Sequence, residues 1–534
     1  MVSSLGALLT ATAQKYPRKI AVEDRGNKFT YQQLDSYSDS FASSLLYEGL
    51  KIGDRAALYT SKSMEGIAAI FGILKAGGVY VPLDVSWPIK RCSFIIDNCQ
   101  IQYIFTSFSK VACLYEIAKL SSSLKTAILL DNDSQPKIAS LPKNIRIITY
   151  SQIKSVPLQK PPLVSSSSLA SIFYTSGSAD KPKGVMMTHQ AELASLKNSS
   201  NLASCISNND RYALYHSFSV ISSFVDILLI IKCAAVICIL PEGTSAFIST
   251  LKKFIKDKKI SILGLMSDIL IQLALYGNFA KGELTNLRMV IIRGKIPVKY
   301  LRFLIKAMPK AKIFNNFGST ETRRISDYLI KNILSEKELI LSIGRPHKGI
   351  ETFIVDMQGK RLAERPGSTG ELYVYSPSLM SGYWGDPEMT HEVLLKDHFT
   401  KKNRMIYRTH DLVRVDRNKN YIILGRIDNI IRVRGFRVGL EEIESALEEH
   451  PRIKSAVCLR IPDGQAGNCI KAIVVLKKPG ELKREKIVSF LKRYLPIYMI
   501  PEIVEYRPSL PRLSSGKIDR QAILSKNILT EKNK

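Results

Sequence analysis

The run SMEGIAAIFGILKAGGVYVPLD, residues 63–84, decides the fold. Apolar residues recur at three- and four-residue spacing from Met64 to Leu74, which predicts a helix, and Gly77 and Gly78 can close it in left-handed conformations before the β-rich VYVPLD begins. The same rhythm returns in YLRFLIKAMPKA followed by KIFNNFG, and in IKDKKIS followed by ILGLM. It predicts an α/β protein of layered helices and parallel strands. No internal repeat of 20–50 residues interrupts the pattern, which disfavours solenoids and propellers. After about residue 350 the texture changes. ETFIVDMQGKRLAE, GELYVYSPS and YRTHDLVRVDRNKNYIILGR alternate apolar and polar residues around turn signals, as in an antiparallel, β-rich portion. From Gly439 the order helix, strand, strand, helix reads as a compact α+β unit. The expected division is therefore a large body of layered subdomains over residues 1–427 and a small C-terminal unit over 428–534.

Composition bounds the rest. A chain of 534 residues exceeds a single core, which usually stops growing at about 250–300 residues. Hydrophobic residues make up 45% and charged residues 23%, which excludes a disordered or fibrous chain. Lys+Arg number 77 against 47 Asp+Glu, a net +30 that favours polyanionic partners: nucleic acid, anionic membrane or a phosphorylated ligand. The eight cysteines are scattered, with no C-x-x-C pair or zinc spacing, so a reduced, cytoplasmic setting is expected. The N-terminal MVSSLGALLTATAQKYPRKIAV lacks a basic n-region, and its leucines suit one face of a short helix ending before Pro17. The apolar FVDILLIIKCAAVICIL from Phe224 carries Asp226 and Lys232, so it reads as a buried helix and strand, and no membrane span is expected.

The strongest local chemistry lies in YTSGSADKPKGVMMTH, residues 174–189. Backbone N–H groups freed by Gly177 and Gly184, the hydroxyls of Thr175, Ser176 and Ser178, and the Lys183 ammonium could together wrap a polyphosphate. This is not a Walker A loop, because Val185 follows Gly184 where that loop needs Lys and a hydroxyl.

This loop resembles the phosphate-binding loop of the AMP-forming adenylating superfamily, which includes acyl-CoA synthetases, firefly luciferase and the adenylation domains of nonribosomal peptide synthetases. Further matches follow in that family's order: NNFGSTE from Asn315, GELYVYSPSLMSGYW from Gly370, YRTHD from Tyr407, GRIDNIIRVRGFRV from Gly425, then LPIYMIP and LSSGKIDR. The resemblance covers essentially the whole chain. It implies the family's ligands, ATP and Mg²⁺, with Asn316, Phe317 and Gly318 on the adenine side and Glu321, beside Thr320, holding the cation through oxygen. It further implies that Asp411 accepts hydrogen bonds from the ribose hydroxyls, that Arg426 reaches the ribose or phosphate, and that Lys517 meets the carboxylate and α-phosphate as charge develops. Asp428 takes the family's hinge position, and Gly435 the loop facing the pantetheine tunnel. Taken singly, Asp411 reads as a turn aspartate, Arg426 as a surface ion pair and Glu321 as a helix cap; the order of the motifs sets them apart.

What the resemblance implies is an AMP-forming ligase that joins a small carboxylic acid to a phosphopantetheine thiol. An acyl or peptidyl carrier protein is the favoured acceptor, because LKAGGVYVPLD resembles the carrier-loading branch, and coenzyme A is the alternative. Departures from the pattern keep a second alternative open, a catalytically impaired nucleotide-binding or scaffold protein. Ala179 and Asp180 stand where the loop has Thr and Gly, His410 where the family has glycine before Asp411, and Lys295 where relatives often carry a small or acidic residue. On the acid side, His216 and Ile221 fall in the acid pocket, and Ile221 takes the place of the aspartate that pairs with an amino acid's ammonium. A buried ammonium without a partner is expensive, so an α-amino acid is not expected. No aromatic-basic motif accompanies the charge, so nucleic acid is not an expected partner.

Overall fold

The computed structural model describes residues 4–131, 145–175, 182–241, 248–330, 341–427, 430–433, 436–463, 467–478, 480, 482–493, 495, 497–513, 517–520 and 522–523. Helix Met64–Lys75 forms where the 63–84 run predicts it, opened by Ser63 Oγ accepting from the Gly66 N–H at 3.0 Å and closed by left-handed Gly77 at φ 81°. Strand Val79–Pro82 follows and pairs in parallel with Arg55–Tyr59 and Leu169–Thr175.

Those strands belong to the first of two eight-stranded sheets, each parallel at its centre and antiparallel at one or both ends. In the second sheet Arg211–Leu214, Ile262–Met266, Met289–Arg293 and Lys312–Ser319 lie side by side in parallel. Helices Leu5–Lys15, Tyr31–Tyr47, Met64–Lys75 and Ile221–Lys232 fill the space between the sheets, and Phe173 and Phe314 reach into the same core from opposite sides. Being covered on both faces explains why Met64–Lys75 is apolar almost all round. Its terminal Lys75 is buried too, and its Nζ meets Asp35 and Asp39 at 2.6 Å each. The apolar run from Phe224 is a buried helix followed by strand Val236–Ile239, as expected, and among the described residues no helix is long and apolar enough to cross a membrane.

The β-rich portion is an antiparallel sheet of Ser342–Gly344, Tyr421–Arg426, Met405–Val415, Thr369–Tyr375 and Glu351–Val355. Beyond it, helices Leu440–Glu448 and Arg484–Leu491 pack on strands Ile453–Asp463, Gly467–Leu476 and Ile503–Tyr506 around a core of their own. Asp428, the expected boundary, lies outside the described residues. Helix Val298–Ala307 of the body meets this smaller unit: Lys299 Nζ donates to the carbonyls of His450 at 2.8 Å and Ile453 at 3.2 Å.

One ion pair ties the layers together. Arg323 and Glu192 are both fully buried, with Nη2 at 2.6 Å and Nε at 3.0 and 3.1 Å from the carboxylate oxygens. Glu192 also accepts from Ser171 Oγ of the first sheet at 3.2 Å, while Arg323 opens strand Arg323–Ile330 of the second. Breaking a buried pair strands the other charge, so Glu192→Ala is expected to lower the urea unfolding midpoint by the equivalent of about 3–5 kcal/mol. Replacing both by Leu and Met should recover most of that loss.

Candidate active site

The described residues on either side of the phosphate-loop candidate belong to two paired strands. Leu169–Thr175 pairs antiparallel with Lys183–Thr188, Thr175 standing opposite Lys183. Ser176, Gly177, Ser178, Ala179 and Asp180 lie outside the described residues. Gly184 corrects the sequence reading, which had it freeing backbone in the loop: it is paired in the strand, opposite Tyr174. A Cβ there would sit 2.9 Å from Ile172 Cγ2 and 3.2 Å from Trp384 Cβ, so this glycine serves close packing. Its carbonyl accepts from the Trp384 N–H at 2.7 Å, which brings Tyr383 alongside, and Lys183 Nζ lies 5.7 Å from the Tyr383 ring centre.

Strand Lys312–Ser319 carries Asn316, Phe317 and Gly318 and turns sharply back through Thr320 and Glu321. Only glycine fits at 318, because a Cβ there would lie 1.9 Å from the Arg323 carbonyl oxygen. Arg323 itself sits at φ 58°, and its Nη1 donates to the Thr320 carbonyl. Asn316 Nδ2 donates to Asp327 Oδ1 at 2.8 Å, and Phe317 packs against the core of the third sheet. Tyr383 donates its hydroxyl to Glu321 Oε1 at 3.2 Å, and the Glu321 carbonyl accepts from the Met380 N–H at 2.8 Å. Tyr407 joins through its hydroxyl to Tyr383, and burial pushes both phenols well above their ordinary range.

Asp411 and Arg426 face one another across the third sheet, with Nη1 3.7 Å from Oδ1, and Arg426 also donates to the Thr409 carbonyl at 3.2 Å. His410 occupies the glycine position in a left-handed conformation, φ 59°, at an irregularity in the pairing, so the chain bends there as a glycine would allow. Its ring turns to Glu371, Nδ1 3.6 Å from Oε1. Burial raises the Asp411 carboxyl to about 7, the nearby Glu441 and Glu321 charges add to the rise, and Arg426 and a Thr409 hydrogen bond oppose it.

Oxygen donors for a hard cation are present in Glu321 and the Thr320 hydroxyl. Among the described residues no three His, Cys, Asp or Glu side chains form a metal-holding group. Mg²⁺ carried by phosphates takes only one or two protein carboxylates, so the donor set fits it. Lys517 is not brought to this group. Its side chain is exposed, its carbonyl accepts from the Leu513 N–H at 2.8 Å, and neighbouring Leu510, Ile518 and Ile523 pack on the small sheet. Lys295, which stands where relatives often carry a small or acidic residue, reaches the small unit and donates to the Glu441 carbonyl at 2.7 Å. Gly435 lies outside the described residues. On the acid side, His216 is buried and Ile221 begins helix Ile221–Lys232.

Tyr383 and Tyr407 were missed as functional residues although both fall inside quoted motifs, GELYVYSPSLMSGYW and YRTHD. Tyr383 reaches Glu321 directly and Tyr407 reaches it through Tyr383, a juxtaposition of distant segments that no local pattern announces.

The AMP-binding enzyme family model matches residues 9–384, and the AMP-binding enzyme C-terminal domain model matches residues 442–517. A linear gramicidin synthase polypeptide of Brevibacillus parabrevis is 28% identical over 517 residues, covering 96% of this chain, which spans 9% of that protein. An L-proline--[L-prolyl-carrier protein] ligase of Pseudomonas fluorescens is 29% identical over 510 residues, 95% of this chain and 96% of that one. The crystal structure of ATP-bound MatB from Rhodopseudomonas palustris superposes with a TM-score of 0.84 at 21% identity, covering 98% of this chain and 99% of that one.

Asp411 gives a pH signature. Its folded pKa of about 7 lies above the ordinary 3.8, so the folded chain binds the extra proton between those values. The stability this provides is fully present below about pH 4 and is lost as pH rises through 7. Asp411→Asn is therefore expected to raise the thermal midpoint relative to the parent at pH 8 and to leave it nearly unchanged at pH 4.

Proposed function

This chain belongs to the AMP-binding enzyme family, and from that premise we propose that it activates a small carboxylic acid with MgATP, as an acyl-adenylate, and passes the acyl group to a phosphopantetheine thiol. The observation that carries the reading is the meeting of Lys183, Tyr383, Glu321, Tyr407, Asp411 and Arg426, drawn from three sheets, around one position. A cationic side chain at the hairpin, a carboxylate for a phosphate-borne cation and a carboxyl across from an arginine are the functions a nucleoside triphosphate requires.

In the first step a carboxylate oxygen of the acid bonds to the α-phosphorus and the bond to pyrophosphate breaks. Lys183 and the hairpin backbone would steady the phosphates, Glu321 and Thr320 would hold Mg²⁺, and Asp411 would accept from the ribose hydroxyls. Mg²⁺ when bound neutralises phosphate charge. Ionised Asp411 is the form that accepts two hydroxyls, so nucleotide binding favours loss of its proton. In the second step the thiol sulfur attacks the acyl carbon, its proton is released, and AMP leaves. The protein contributes position and charge rather than a covalent nucleophile.

Residues 428–534 would act as the mobile unit, with Asp428 as hinge and Gly435 on the loop toward the thiol. Lys517 must travel to the nucleotide for the first step, and the contacts of Lys295 and Lys299 with the small unit must then be exchanged. A carrier protein is the favoured acceptor, since an aligned full-length relative is named as a prolyl-carrier ligase, with coenzyme A the alternative. Ile221 leaves an α-ammonium without a counter-charge, so the acid is not a standard α-amino acid. A cytoplasmic setting suits these substrates.

Acid-dependent pyrophosphate release across a panel of carboxylic acids tests the reading. The parent is expected to release pyrophosphate with at least one acid, and Lys517→Ala to lower that rate by about a hundredfold or more. Pantetheine transfer is then compared between holo-carrier and coenzyme A. Failure to bind ATP or an acyl-sulfamoyl adenylate mimic in calorimetry would replace the enzyme by a non-catalytic family member.

A further inference from the structure

Three buried polar atoms on or beside the start of helix Ile221–Lys232 have no hydrogen-bond partner among the described residues: Arg293 Nη1, His216 Nε2 and Ser222 Oγ. Each belongs to a side chain at least nine-tenths buried. Their convergence follows from the backbone. Ser222 and Asp226 are four residues apart and share one helix face. Arg293 Nη2 grips Asp226 over that face, 2.6 Å from each carboxylate oxygen. Ser223 Oγ, beside Ser222, donates to the His216 carbonyl at 2.9 Å, and the Arg293 charge is felt at the His216 ring.

Asp226 is spoken for. Besides Arg293 it accepts from the Tyr212 hydroxyl and lies 3.6 Å from Arg324, which is also 3.5 Å from Asp327. Arg293 Nη1, with the Tyr212 phenol beside its guanidinium, is left without a hydrogen-bond partner among the described residues. Gly264 leaves room for it, since a Cβ there would sit 2.8 Å from that nitrogen. Helix Ile221–Lys232 has no side-chain cap at Val220. Arg293 also ends its strand, in register with Met266 and with Asn316 of the adenine side. Ligands of open α/β sheets bind outside these carboxyl ends.

We propose that Arg293, with Ser222 and His216, receives an oxygen acceptor on the tail of the acid. The substrate is then an acid with a second oxygen function, a carboxylate or a carbonyl, rather than a plain hydrocarbon tail. This rests on the acid-activating reading of the site. Burial, with the Arg293 and Lys62 charges, lowers His216 to about 3, so at neutral pH the ring is uncharged. An apolar tail would leave the guanidinium N–H unmatched in a dry interior, and a site built around such a donor rejects ligands that cannot meet it.

Calorimetry on the full chain with three acyl-sulfamoyl adenosines of equal tail length, ending in carboxylate, methyl ketone or methyl, tests this. The oxygen-bearing mimics are expected to bind at least about tenfold tighter than the methyl one, and the carboxylate and ketone arms show whether charge contributes. Arg293→Met combined with Asp226→Asn removes both charges of the pair and should level the three affinities. Ser222→Ala, a smaller change, should narrow the gap. Equal binding by the parent, or a preference that survives both variants, overturns the proposal while ATP binding in the same assay leaves the functional reading standing. A chain that binds neither ATP nor any mimic overturns both.

Discussion

Arg323 determines where the turn through Thr320 and Glu321 can lie. Its guanidinium is fully buried against Glu192, and burying a charge is tolerable only with a partner at close range. With its side chain committed to the core, the backbone folds back at φ 58°, and Nη1 holds the Thr320 carbonyl. Thr320 and Glu321 are pinned at the tip of a turn that only Gly318 can accommodate. Through Ser171 the same glutamate holds the strand that leads toward the proposed phosphate loop. The two halves of the proposed triphosphate site are thus placed by one buried pair, and the loop of Met380 is fastened to it through the Glu321 carbonyl.

The charge around Asp411 is set by the small unit as well. Glu441 lies close enough to Asp411 to help hold its proton on, and a Cβ at Gly425 would be 2.8 Å from Glu441 Oε2. Lys295 and Lys299 fasten helix Val298–Ala307 to carbonyls of that unit while Lys517 stays outside the site. Rotation of the small unit, as proposed, would remove a carboxylate from Asp411 and bring a lysine to the nucleotide. Both changes favour the anionic ligand. The net +30 is then a background that suits ATP and an acidic carrier without requiring nucleic acid.

Much of this was legible in the sequence. The helix and strand of residues 63–84, the buried helix and strand from Phe224, the antiparallel portion and the C-terminal α+β order all follow from periodicity, because each is decided by which faces are covered. Asp226 was readable as a structural carboxylate beside an isoleucine that cannot pair with an ammonium. Its partners Arg293 and Arg324 were not, since both come from other strands and are joined only by the sheet register. Gly184 was misread for the same reason: a glycine that spares a clash with Ile172 and Trp384 looks, along the chain, like one that frees backbone for a phosphate. Lys295 was readable only as a departure from the family's pattern, because its partner belongs to a unit packed against it from 146 residues downstream.

Oxygen-isotope transfer tests the central claim most directly. Incubation of the full chain with MgATP, a holo-carrier or coenzyme A, and an acid labelled with ¹⁸O in its carboxylate should yield AMP carrying one labelled oxygen, detected by mass spectrometry. That outcome requires the acid's own oxygen to have bonded to the α-phosphorus. Label appearing in inorganic phosphate with ADP as the nucleotide product, or AMP formed without label, would contradict the account.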